Sequence, residues 1–338
     1  MMIDESKLEM NRVRTQDFAR YQKLEDVLKE VNLYVASISL HHYSIPKYPV
    51  IFIMGCPRSG STLMLQWLSS LGLFTYPSNI IARFYSNPYL GAKIQQILVD
   101  YDKENQIGLN SETLKYESTL GKAKGALSPS EFWYYWRQFY QFGEIQKLSD
   151  EQLKTVDTKL FVKGLAGLEA AYDLPMVLKG MILNWHIPHL NNIFEKVLFI
   201  NVIRDDFFNA QSLYFARKKF YGNFENWFSY KPIEYEFLKN EVPLIQVAGQ
   251  VVFTKKAVSE GLSTIIPKYK KLNVDYEQFC EEPSLFYYKL RKKLSQQGYD
   301  IPIKYNGLSQ FESMDDVRLN KNEILKLRSY LEKFNSNL

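Results

Sequence analysis

Eight consecutive residues, Gly55-Cys56-Pro57-Arg58-Ser59-Gly60-Ser61-Thr62, have the spacing of a phosphate-holding turn between an apolar run and a helix. In such a turn, successive backbone N–H groups and a helix N-terminus surround anionic oxygens. Gly-rich turns also join strands to helices without holding anything. Here Arg58, Ser59, Ser61 and Thr62 all add donors, which favours a bound anion. Where a kinase or nucleotide triphosphatase carries the lysine that reaches a terminal phosphate, this chain has Ser61, and its only loop cation, Arg58, stands three positions earlier. That substitution argues against a triphosphate held with magnesium.

The run Pro57-Arg58-Ser59-Gly60-Ser61-Thr62 resembles the 5′-phosphosulfate loop of the sulfotransferase family, in the branch that reads Pro-Arg-Ser-Gly-Ser/Thr-Thr. The resemblance implies 3′-phosphoadenosine 5′-phosphosulfate as co-substrate, used without a metal. The family's second signature is a strand ending in arginine, then aspartate, with a serine eight residues after the arginine. Val197 to Ile203 followed by Arg204-Asp205, with Ser212 eight residues on, is similar to it. An arginine at a strand's C-terminal edge and a serine two turns into the next helix can converge on one phosphate. Family members also carry a lysine about 25 residues before that arginine, which contacts the transferring sulfuryl group, and Lys179 lies at that distance. A cation there neutralises charge on the bridging oxygen as the S–O bond breaks. Tyr276-Glu277-Gln278-Phe279 with Glu282-Pro283 resembles a further family segment and implies a place for Tyr276 beside the loop, although Asp275 stands where an arginine is usual. The likeness runs from about Val50 to Pro283.

The general base departs from the family pattern. Met181 occupies the position of the histidine that cytosolic members place two residues after the lysine, and Ser78-Asn79 stands where other members have a glutamate. A hydroxyl acceptor still needs a proton acceptor. Glu131 is the first candidate and His186 the second. Against them, Glu131 three residues after Ser128 fits a capping box, and His186 beside Trp185 fits a satisfied interior histidine. The family's late Gly-rich stretch around the donor is not recognisable; Arg318 and Lys321 are cations in that region.

These residues need elements to hold them. Val50 to Met54 and Val197 to Ile203 are continuous apolar runs, as expected of strands buried on both faces. Met176 to Lys179 and Leu272 to Tyr276 read as shorter strands. Helices are expected from Leu63, over Asp157 to Tyr172, Phe207 to Phe220, Pro243 to Ile265, Ser284 to Gln297 and Lys321 to Phe334. Ser128-Pro129-Ser130-Glu131 reads as a capped start to an aromatic helix, Phe132 to Phe142, whose Trp133, Tyr134 and Trp136 are candidates to border an acceptor pocket. The stretch from Tyr76 to Gly125 gives no clear pattern. Ser6 to Ser39 reads as helical, with Phe18, Tyr21, Leu24, Val27 and Leu28 at helical spacing. Strands alternating with helices predict an α/β fold of three layers, P-loop-like, with a mainly parallel central sheet flanked by helices. Residues 1–46 are expected as an N-terminal helical extension and 47–338 as a single domain.

Composition narrows the function classes. With 338 residues and 46% apolar content the chain can bury a substantial core. Two cysteines, Cys56 and Cys280, are too few for a disulfide framework and lack the spacing of a zinc site, and the four histidines form no HExxH. Cys56 reads as a small residue filling the turn. A net charge of +5 is mild. Its short basic runs, Arg217-Lys218-Lys219 and Lys268 to Lys271, read as solvated faces rather than a nucleic-acid surface. No apolar run reaches the roughly 18 residues of a membrane span, and the acidic opening is unlike a secretory signal. The expectation is a cytoplasmic enzyme acting on a small-molecule or glycan acceptor, its oligomeric state open. The alternatives are a P-loop kinase or nucleotide triphosphatase, and a non-catalytic nucleotide-binding relative.

Overall fold

Val50–Gly55 (β1) is the hub of the fold. It lies between Val177–Lys179 (β4) and Val197–Ile203 (β5), with Lys271–Asp275 (β6) outside β5, and every neighbouring pair in this sheet is parallel. All six residues of β1 are buried, as a parallel strand covered on both faces requires. Successive side chains serve opposite faces. Val50, Phe52 and Met54 pack with Trp136, Phe161 and Leu178, while Ile51 and Ile53 pack with Met64, Leu68 and Ile200. The result is the three-layer α/β architecture with a parallel central sheet.

The computed structural model describes residues 14–38, 43–109 and 116–336. The expected start of the N-terminal helix at Ser6, its end at Ser39, and His41 and His42 lie outside the described residues. The helix Gln22–Ala36 buries Glu25, Asn32 and Val35; of the expected apolar face, Phe18 is buried in the preceding 3-10 turn and Leu28 half-buried, while Tyr21, Leu24 and Val27 are exposed. Polar contacts dock it. Asn32 Nδ2 donates to the Arg83 carbonyl, its Oδ1 accepts from Ser86 N, and the Tyr134 hydroxyl donates to Glu25.

The long helices and the two strong strands fall within a residue or two of expectation. The aromatic helix does not begin at Ser128; it spans Trp133–Phe139, with Phe132 in the left-handed region at φ 57°. Ser128 Oγ bonds back to Lys124 O instead of capping a helix, so the Glu131 carboxylate is free of a capping box. β6 ends before Tyr276 because Asp275 accepts from Gln278 N and so caps the helix Tyr276–Glu281. Arg217, expected on a solvated face, is fully buried and donates to Gln246 Oε1 at 2.5 Å.

The unreadable stretch contains a 3-10 turn Ile81–Phe84, a helix Pro88–Gln95, and a hairpin of Ser118–Thr119 (β2) and Lys122–Ala123 (β3). Its two-residue turn has Leu120 at φ 51° and Gly121 at φ 91°, the paired left-handed conformation of a tight hairpin. Gln66 holds one arm through the Glu117 carbonyl at 3.3 Å, and Asn79 holds the other through the carbonyls of Ala123 and Gly125 at 3.0 and 2.9 Å.

Candidate functional site

Where β1 ends, the chain turns sharply into the helix Ser61–Ser70, with Arg58 at φ 68° and Gly60 at φ 95°. Glycine is needed at 60 for a second reason: a Cβ there would lie 2.2 Å from Cδ2 of Tyr276. Asparagines fasten the turn from both sides. Asn184 accepts from Gly55 N at 3.3 Å and donates to Gly55 O at 2.8 Å, and Asn209 donates to Pro57 O at 2.6 Å. Inside the turn, Ser59 Oγ is buried without a hydrogen-bond partner. Gly60 gives the helix no side-chain cap, so its first N–H groups lack intrahelical acceptors. An orphaned hydroxyl and an uncapped helix end fit an anion.

Lys179 is the last residue of β4, registered beside Ile53. Its Nζ lies 2.8 Å from Thr62 Oγ1 and 2.5 Å from Glu131 Oε1. The lysine side chain is 6% exposed and the glutamate 21%. Glu131 is clamped on its other side. The Trp133 indole N–H donates to Oε2 and the Trp136 indole N–H to the Glu131 carbonyl at 2.8 Å, while the Trp133 ring stacks on Tyr230 at 5.5 Å. Three segments far apart in sequence thus bring Thr62, Lys179 and Glu131 into one contact.

Arg204 and Ser212 meet through Arg58 rather than directly. Arg58 Nε donates to Ser212 Oγ at 3.3 Å, and Arg204 Nη1 donates to the Arg58 carbonyl at 3.0 Å. The remaining Arg204 donors turn to Asp315 Oδ1, at 3.1 Å from Nε and 2.8 Å from Nη2, and to the Met314 carbonyl. Its guanidinium lies 4.8 Å from the Tyr276 ring centre, and the Tyr276 hydroxyl accepts from Met314 N at 3.3 Å. Tyr276 therefore packs against the loop and carries Arg204. Burial, and then the charge of Arg204, hold the Arg58 guanidinium down to about 10; the same two causes lower Arg318. Like charges crowded at one place favour an anion among them. Gln211 ties down the segment opposite, accepting from Arg318 N at 2.7 Å and donating to the Asp316 carbonyl at 2.8 Å. Asp205, the residue after the signature arginine, caps the next helix by accepting from Phe208 N at 3.1 Å.

His186 is not brought to the other candidates. Its Nε2 lies 3.0 Å from the Gln146 carbonyl and 3.2 Å from Leu148 N, and burial pushes its pKa down to about 4. It is a neutral interior histidine beside Tyr140. The Cys56 thiol is buried and pushed up to about 12, which makes it inert. Among the described residues, no three His, Cys, Asp or Glu side chains gather as a metal cluster, and no helix is long and apolar enough to cross a membrane. Lys268 joins Lys289, Lys292 and Lys293 around a cavity of about 440 Å³ that shares no residue with the loop.

Asn184, Asn209 and Asp315 escape a sequence reading, since each depends on a partner more than a hundred residues away. Two crystal structures have a similar fold. The sulfotransferase STF9 from Mycobacterium avium is 13% identical over 96% of this chain and 79% of its own, with a TM-score of 0.51. The sulfotransferase STF1 from Mycobacterium tuberculosis H37Rv is 12% identical over 87% and 89%, with a TM-score of 0.50. No curated protein matches the chain. The model of the sulfotransferase family matches residues 49–295, a span that takes in the loop, Glu131, Lys179, Arg204, Ser212 and Tyr276 together, and by that match the chain belongs to the sulfotransferase family of transferases.

Proposed function

We propose that the protein moves a sulfuryl group from 3′-phosphoadenosine 5′-phosphosulfate to a hydroxyl or amine of a small-molecule or glycan acceptor. The observation that carries this reading is Lys179, which bridges Thr62 of the anion loop and the Glu131 carboxylate. With a hydroxyl acceptor, Glu131 takes the proton while the acceptor oxygen forms the new O–S bond. The S–O bond to the 5′-phosphate breaks as it does so, and Lys179 neutralises the charge left on the bridging oxygen. Pro57, Arg58, Ser59, Gly60, Ser61 and Thr62 hold the 5′ anion, with the orphaned Ser59 hydroxyl as one donor. Arg58, Arg204 and Ser212 face the 3′-phosphate, and Tyr276 sets both the loop and Arg204 in place.

Calorimetric titration tests the donor. Adenosine 3′,5′-bisphosphate should bind, with AMP weaker and ATP with magnesium weaker still. Binding of ATP with no affinity for the bisphosphate would favour a kinase or nucleotide triphosphatase. Bisphosphate binding without transfer to any member of a broad acceptor panel would mark a non-catalytic relative.

A further inference from the structure

Four lysines from two segments meet at the end of the sheet remote from the anion loop. Lys268 precedes β6, while Lys289, Lys292 and Lys293 belong to the helix Pro283–Ser295; with Tyr269, Leu272 and Gln296 they line the cavity of about 440 Å³. Because β6 runs parallel to the other strands, its first residue, Lys271, lies away from the strand ends that carry Gly55, Lys179 and Arg204. The Lys293 ammonium ties the two segments together by donating to the Lys268 carbonyl at 2.5 Å. No carboxylate answers these charges. None lines the cavity, and among the described residues none of the four lysines forms an ion pair. Burial, and then the charges of Lys292, Lys268 and Lys271, push the Lys293 ammonium below the ordinary lysine range. Like charges gathered without a counter-ion favour an anion among them. Lysines are point charges that can take a phosphate from several sides.

Apolar side chains are exposed beside the lysines. Ile266, two residues before Lys268, is 89% exposed, and Leu285 and Tyr288 are exposed on the helix. Tyr288, Lys289, Lys292 and Gln296 follow Leu285 by three, four, seven and eleven residues, so all five share one helix face. Basic and apolar groups on one face suit an anionic lipid surface, where the charges meet headgroups and the apolar groups leave water. An acidic protein would use the charges alone. We propose that this face docks the protein on an anionic lipid bilayer: the four lysines take headgroup phosphates at the cavity, and Ile266 enters the headgroup layer beside them. Such docking needs no spanning helix and nothing from the transfer reading, and it leaves the anion loop at the opposite end of the sheet.

Co-sedimentation with phosphatidylcholine vesicles carrying about 30% phosphatidylserine tests the docking. The wild-type protein should bind them, and not vesicles of phosphatidylcholine alone, whether or not adenosine 3′,5′-bisphosphate is present. Lys289→Glu with Lys292→Glu, both exposed positions, should weaken vesicle binding by at least about tenfold. Lys218→Glu with Lys219→Glu makes the same change in net charge at the other short basic run and should weaken it by less than about threefold. Ile266→Ser should weaken it by about threefold or more. Equal losses from the two double variants would reduce the effect to net charge and overturn the proposal. So would an unaltered Ile266→Ser variant, release from the vesicles by the bisphosphate, or no vesicle binding by the wild-type protein. Inorganic pyrophosphate or polyglutamate bound through Lys289 and Lys292, with vesicles left unbound, would assign the site to a soluble phosphate or an acidic protein and overturn the lipid reading.

Discussion

Glu131 and Lys179 form an ion pair at 2.5 Å, and the proposed transfer gives them different work. Lys179→Ala should lower turnover by about 10²–10³-fold, as expected when a preorganised cation is lost from developing charge, with little change in bisphosphate affinity. Glu131→Gln should slow hydroxyl transfer by about 10²-fold or more at saturating donor. A normal rate in single-turnover assays would remove either role. Arg204→Ala should weaken bisphosphate binding by about 10–100-fold, the scale of a charge-assisted hydrogen bond, with kcat little changed. At this scale it was the resemblance to the family's signatures that pointed to Lys179, Arg204 and Ser212, and the structure sets Lys179 against Thr62, and Arg204 and Ser212 on either side of Arg58. Glu131 was legible only as a carboxylate near an aromatic run. Asp315 was not, because nothing in its own neighbourhood announces a partner 111 residues away.

Among the elements, the loop and the helix Tyr276–Glu281 act as one unit because the Tyr276 ring lies against bare Gly60. Gly60→Ala should cost about 1–2 kcal/mol from the left-handed backbone alone, and more from the ring it must displace. Denaturant titration should show that loss together with weakened nucleotide binding. Unchanged stability would mean that the turn accommodates a side chain. The main strands could be read because continuous apolar runs leave a buried parallel strand few alternatives. The start of the aromatic helix could not, because a buried Phe132 at φ 57° overrides the local cap pattern. The docking face of Gln22–Ala36 was hidden for a related reason: apolar periodicity is blind to a helix that seats on Glu25 and Asn32.

For the molecule as a whole, His186 sets a limit on acid stability. Its pKa near 4, against an ordinary 6.5, means that the unfolded chain binds the proton more readily. The stability it contributes is therefore complete above pH 6.5 and is lost as pH falls toward 4. Integrated over that window, the loss is on the order of 3 kcal/mol. Thermal melts of the wild-type protein should fall steeply across it, and His186→Gln should flatten that fall. Equal slopes would place the acid sensitivity elsewhere. The sheet order was not legible either, since which strands neighbour β1 is decided by the crossovers rather than by any strand's own residues. That order brings the ends of β1, β4 and β5 together, and so places Arg204 where Asp315 reaches it. Any anion arriving at Arg204 trades places with a carboxylate instead of entering a bare cationic hole. Its affinity there measures a difference between two anions, and the trade changes the pocket's net charge by less than one-way entry would, so binding should respond less steeply to ionic strength than the number of arginines suggests.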